Sequence, residues 1–130
     1  MELRKKKMER AMVCVTRQKT CERLIREGAN IAQAEGKLFS VVHVVRPGES
    51  VLGNNAAEGE ALEYLFTVSN QFGADMTMIR SDELVKALVD YATGNNVKTM
   101  ILGASGENGQ EELVKKLLRQ LPGMEFRVIS

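Results

Sequence analysis

The sequence predicts an α/β domain built on an open parallel sheet of five strands, with helices packed on both faces. Short runs rich in β-branched residues alternate strictly with longer segments of helical periodicity, and this alternation is the pattern of strands joined by helical crossovers. Strand, helix and strand recur within about 35 residues, the length of a right-handed βαβ unit. The 130 residues, 44% hydrophobic and 27% charged, suit a single compact core that needs neither metal nor disulfide to hold it.

The first strand is the apolar run Ala11-Met12-Val13-Cys14-Val15-Thr16, flanked by charge on both sides. From Thr20, the expected N-cap, to Ala34 the residues Leu24, Ile25, Gly28, Ala29, Ile31 and Ala32 fall on one helical face, and Gly36 stops the helix. Leu38 to Val45 is the second strand, ended by Arg46-Pro47-Gly48, and Pro47 to Asn55 reads as a loop. Ala56 to Phe72 carries Ala57, Ala61, Leu62, Leu65, Phe66 and Val68 at helical spacing and is closed by Gly73. Asp75 to Arg80 alternates as the third strand. Ser81-Asp82 opens a third helix, with Leu84, Val85, Leu88, Val89 and Ala92 inward and Gly94-Asn95-Asn96 at its end. Lys98 to Leu102 is the fourth strand, Gly103 to Gly109 a glycine-containing loop, Glu111 to Leu121 the last helix, and Glu125 to Ile129 the fifth strand.

Composition removes several functions. The net charge is +1, and the one basic cluster, Arg4-Lys5-Lys6-Lys7, lies in a stretch assigned as a basic N-terminal extension, residues 1–10, ahead of the domain at 11–130. Without a sustained basic face or interleaved aromatics, nucleic acid is not an expected partner. No apolar run reaches the roughly 20 residues that span a bilayer, and no signal-peptide core follows the basic start, so a cytoplasmic protein without membrane insertion is expected. One His and the separated Cys14 and Cys21 make neither a metal set nor a CxxC motif.

In a parallel sheet of this kind ligands bind beyond the carboxyl ends of the strands, which directs attention to the loops after Thr16, Val45 and Leu102. Thr16-Arg17-Gln18-Lys19-Thr20 brings two cations and two hydroxyls to a helix N-terminus: an anion cradle or a solvated loop. Gly103-Ala104-Ser105-Gly106 either lets backbone N–H groups approach a phosphate or supplies a turn with positive φ. His43, within Val-Val-His-Val-Val, is a ligand contact or a packed strand residue. Cys21, in the first turn of a helix beside Lys19 and Arg23, is a redox-sensitive thiol or a small buried residue. No Ser/His/Asp set and no paired acids can be assembled, so no enzyme is expected.

Three stretches together resemble the domain of KdpD potassium sensor kinases that is similar to universal stress proteins. They are Met12-Val13-Cys14-Val15-Thr16 leading into Glu22-Arg23-Leu24-Ile25-Arg26, then Ser40-Val41-Val42-His43-Val44, then Ala87-Leu88-Val89-Asp90-Tyr91-Ala92 followed by Asn95-Asn96-Val97-Lys98 and Ile101-Leu102-Gly103. Leu117-Leu118-Arg119-Gln120-Leu121-Pro122 fits as well. The resemblance implies a Rossmann-like sheet of the adenine nucleotide alpha hydrolase-like kind with strand order 3-2-1-4-5. It also implies regulatory, stress-response binding instead of catalysis, and a homodimer, for which the C-terminal edge strand is the expected contact. A sensor kinase or a potassium-transport protein is the implied partner.

The same resemblance suggests ATP, AMP or cyclic di-AMP as ligand. ATP-binding members of the family carry an acidic residue after strand one and Gly-x-x-Gly, nine residues, Gly-Ser/Thr after strand four. Here the first half stands as Gly103-Ala104-Ser105-Gly106, while the Gly-Ser position falls on Glu111-Glu112 and the acidic position on Thr16 or Arg17. Two carboxylates repel phosphate by about 1 kcal/mol each or more, so tight ATP binding in the family's usual manner is not expected. A cyclic di-AMP pattern, Ser-x-Ser, twenty residues, Phe-Thr-Ala-x-Tyr, is matched in spacing by Thr16-Arg17-Gln18 and Phe39-Ser40-Val41-Val42-His43, with Phe39 identical. The alternative is a ligand-free dimerisation or protein-interaction module.

Overall fold

The structure, a computed structural model, describes residues 8–15, 18–48, 58–103 and 109–129, with the backbone alone described at 18–20, 58 and 109–111. Its elements are β1 (Arg10–Cys14), α1 (Gln18–Ala34), β2 (Leu38–Val45), α2 (Glu58–Gln71), β3 (Asp75–Arg80), α3 (Leu84–Gly94), β4 (Val97–Gly103), α4 (Gly109–Gln120) and β5 (Glu125–Ile129). The strands form one sheet in the order β3-β2-β1-β4-β5. Each neighbouring pair is parallel, as the sequence predicts. Arg10, assigned from the sequence to the extension, opens β1.

Strand alternation sorts the core into two layers. Ala11, Val13, Val15, Phe39, Val41, Val45 and Ile101 point to one face and pack with Leu24 and Ile25 of α1 and Ala61, Leu65 and Val68 of α2. Met12, Val42, Met100 and Leu102 point to the other, against Leu88 and Ala92 of α3 and Leu117 of α4. Ala11, Met12 and Val13 of the central strand are fully buried, the signature of a parallel strand covered on both sides. The crossovers before β3 therefore lie on one face and those after it on the other. Between β1 and β4, where the winding reverses, the two helical layers part at the carboxyl rim.

Gly28 sets how closely α1 approaches the sheet: a Cβ there would stand 2.4 Å from Val13 Cγ2 and 3.1 Å from Phe39 Cε1. α1 stops at Gly36, which takes φ +66°, as expected of a left-handed C-terminal glycine. α3 begins later than expected and ends within the expected Gly94-Asn95-Asn96. Ser81 Oγ accepts the Glu83 N–H at 3.0 Å, a local serine turn that holds the chain outside the helix until Leu84. Gly94 remains inside the helix, Asn95 is its C-cap, and the left-handed residue is Asn96 at φ 55°.

Side chains tie the amino ends of the strands together. Arg10 Nη1 donates to Ser40 Oγ at 2.7 Å and pairs with Asp75 at 3.2 Å, linking β1, β2 and β3. Lys37 Nζ donates to Thr99 Oγ1 at 2.6 Å, and the Thr99 hydroxyl donates to Glu125 Oε1 at 3.1 Å, linking β4 and β5. Arg127 of β5 pairs with Glu35 just beyond α1.

Candidate functional site

The carboxyl rim between β1 and β4 is reached by Cys14 of β1 and its register partner Leu102 of β4, with Gly103 one residue further on. α1 begins at Gln18, three positions past Val15, and α4 begins at Gly109, so both helices start at this rim. The first turn of α1 holds no acidic residue, which leaves the partial positive charge of its N-terminus unopposed from within that turn.

The residues proposed from the sequence meet different fates. Thr16, Arg17, Ser105 and Gly106 lie outside the described residues. Gln18, Lys19 and Thr20 form the opening of α1, which makes Thr20 a helical residue instead of the expected N-cap. Gly103 closes β4 without a positive φ, and a Cβ there would meet Leu24 Cδ2 at 3.6 Å, ordinary van der Waals contact. Neither backbone conformation nor packing of the described residues therefore demands glycine at this position, unlike at Gly28.

Phe39 and His43 sit beneath the rim, on the α1/α2 side of β2. Phe39 is buried near the start of the strand, with its ring edge against Gly28, and so belongs to the core beneath α1. His43 is 4% exposed, and its Nδ1 lies 2.7 Å from the Val15 carbonyl oxygen. Because a carbonyl only accepts, Nδ1 is the protonated nitrogen of this pair. Sequence periodicity assigned His43 to the strand and could not reveal this bond, since the contact spans 28 residues and depends on the pairing of β1 with β2.

Both cysteines are free thiols, Cys21 buried and Cys14 half-buried. Burial pushes Cys14 up to about 12. Burial likewise pushes Cys21 up to about 11, with the hydrogen bond to Tyr64 pulling the other way and Glu22 adding to the rise. Neither is a thiolate near neutral pH, so of the two readings of Cys21 the small buried residue is the one the structure supports. Among the described residues no group of three or more His, Cys, Asp or Glu side chains is placed to hold a metal, and no helix is long and apolar enough to cross a membrane.

The sequence model of the universal stress protein family matches residues 7–116. The sensor protein KdpD of Mycobacterium tuberculosis is 32% identical over 97 residues, which are 75% of this chain and 11% of that protein, so the chain spans a small part of its curated relative. Among solved structures, the universal stress protein of Archaeoglobus fulgidus in complex with dAMP superposes with a TM-score of 0.63 at 17% identity, covering 96% of this chain and all of that one. A universal stress protein in complex with cAMP does so at 0.66 and 14% identity, over 95% of this chain and 98% of the other. The strand order β3-β2-β1-β4-β5, the two-faced winding and the span of the match agree: the chain belongs to the universal stress protein family, and its similarity to KdpD proteins lies within that family.

Proposed function

We propose that this chain is a regulatory, non-catalytic binding module that takes an adenine nucleotide, or a cyclic dinucleotide containing adenine, at the carboxyl rim between β1 and β4. The observation that carries this reading is the reversal of winding at β1/β4 with Gly103 beside it, a glycine that neither its own φ nor the described residues around it require and where a ligand could approach the backbone. Support comes from the two family members solved with dAMP and cAMP. Thr16, Arg17, Gln18, Lys19 and Thr20 are proposed to face the phosphates, and Ser105 and Gly106 to continue the cradle that Gly103 begins. The similarity to KdpD supports a cytoplasmic signalling role beside a sensor kinase or a potassium-transport protein. Calorimetry with ATP, ADP, AMP and cyclic di-AMP tests the reading: a saturable heat with at least one is expected, and silence with all four at millimolar ligand refutes it.

A second reading is favoured by a separate observation. β5 ends the sheet, Val128 on it is 51% exposed, and Leu118 of α4 on the same face is 43% exposed. An edge strand flanked by exposed apolar side chains invites pairing with a second copy. On this reading the chain dimerises through β5, with or without a nucleotide. Sedimentation should show a dimer that Val128→Lys dissociates, and monomer throughout the micromolar range counts against it.

A further inference from the structure

Only Val15, Thr16 and Arg17 connect β1 to α1, so the direction in which the chain leaves Val15 bears on where the α1 N-terminus stands. The Val15 N–H continues the ladder to β2, donating to the Val42 carbonyl at 3.0 Å. The Val15 carbonyl accepts from His43 Nδ1 at 2.7 Å, a side chain of the neighbouring strand. Both groups are buried, Val15 at 2% and His43 at 4% exposure, so this bond is shielded from competition by water. A donor held on that oxygen restrains the orientation of the rigid peptide unit that leaves β1.

From this geometry we infer that His43 is a positioning residue for the nucleotide rim: its Nδ1–H aims the exit of β1 and thereby the start of α1, and it does not itself touch the ligand. The inference rests on the nucleotide-binding reading for its functional consequence, but its structural half stands apart from it. The mechanism is specific to one atom. Asparagine places its amide nitrogen where histidine has Nδ1, glutamine places it where histidine has Nε2, and phenylalanine keeps the ring volume without any donor.

The test is a comparison of His43→Asn, His43→Gln and His43→Phe by calorimetry with AMP, by thermal unfolding and by amide hydrogen exchange of the residues adjoining Val15. Loss of the donor in His43→Phe should weaken AMP binding about tenfold, the worth of one well-made buried hydrogen bond. His43→Asn should recover most of that affinity although it is the smallest of the three and the least stable to heat. His43→Gln should not recover it. An order of affinity that follows side-chain volume, with Phe best and Asn worst, makes His43 a packing residue only and overturns the inference. If the wild-type chain binds no nucleotide, the functional reading fails and the inference is judged by exchange. Slow exchange next to Val15 in wild type and His43→Asn, and fast exchange in His43→Phe, upholds the aiming role, whereas equal rates in all variants overturn it.

Discussion

Replacing Gly28 by alanine sets two calculable effects against each other. In the interior of α1 alanine is favoured over glycine by about 1 kcal/mol through helix propensity alone. The new Cβ, however, would lie 2.4 Å from Val13 Cγ2 and 3.1 Å from two atoms of the Phe39 ring. Val13 stands on the central strand with no exposed surface, hydrogen-bonded on both sides to β2 and β4, so it has nowhere to retreat. Overpacking of this kind costs about 1–3 kcal/mol, and a contact this short against an immobile strand belongs at the upper end. The net loss is therefore about 2 kcal/mol. With an m value near 1.5 kcal/mol/M, the urea midpoint falls by roughly 1 M at unchanged m. Gly94→Ala, in the last turn of α3 with no atom within 4 Å of the added methyl, is the control and should raise the midpoint. Val13→Ala removes the clashing methyl. In that background Gly28→Ala should be neutral or stabilising, a coupling that a double-mutant cycle measures. Should Gly28→Ala match or exceed wild-type stability on its own, α1 does not rest on Val13 and Phe39 as described.

Three further outcomes concern the charged network, the Thr99 hydroxyl and the start of α4. The Lys37 ammonium beside Glu35, with Arg127 on its other side, holds the Glu35 carboxyl below its ordinary value of 4.5. A depressed folded value means the contribution is present above pH about 4.5 and fades as pH falls through the folded value, so the stability gap between wild type and Glu35→Gln in urea melts should close on acidification. Thr99→Val leaves Lys37 Nζ and Glu125 without the buried hydroxyl that joins them, and chemical unfolding should register a loss of about 1–2 kcal/mol with nucleotide affinity unchanged. Replacing Glu111 by Gly and Glu112 by Ser removes two carboxylates from the first turn of α4 and should tighten ATP binding about tenfold in calorimetry, while the affinity for adenosine stays where it was.

Strands were the most legible part of this chain. β2, β3 and β5 fall on the residues the sequence predicts, because each is a β-branched or alternating run bounded by Gly or Pro on at least one side. Helix starts were less legible, since competing local bonds decide them. The Ser81 hydroxyl captures the Glu83 N–H and delays α3, and α1 begins at Gln18, ahead of the threonine that looked like its cap. Within the expected terminator Gly94-Asn95-Asn96 the left-handed position falls to Asn96, whose amide nitrogen donates to the Met8 carbonyl at 3.0 Å. That contact joins residues 88 positions apart, which no local pattern records. Of the candidate site, sequence could name the rim, because topology alone fixes it. It could not tell that Phe39 lies in the core beneath α1 or that His43 bonds the Val15 carbonyl, since these turn on a ring edge against Gly28 and on a 2.7 Å bond to a backbone oxygen.

The two ends of the sheet are held by different means, and the difference bears on function. At the amino end, Arg10, Lys37, Thr99, Glu125 and Arg127 join all five strands through side chains, with Glu35 adding the end of α1. Such a network helps to fix register. At the carboxyl end, among the described residues, the His43 imidazole donates to the Val15 backbone oxygen, and the Ser81 N–H donates to the Val45 carbonyl at 3.0 Å. A rim that is to offer its backbone N–H groups and helix starts to an anion must keep them uncommitted, and a side-chain donor on a strand carbonyl bears on the chain's direction without occupying those groups. Substitutions at the two ends should accordingly separate: those around Lys37 and Thr99 shift unfolding and spare affinity, whereas the choice of donor at His43 shifts affinity out of proportion to its effect on unfolding. That separation is what a scaffold anchored at one rim and kept receptive at the other requires.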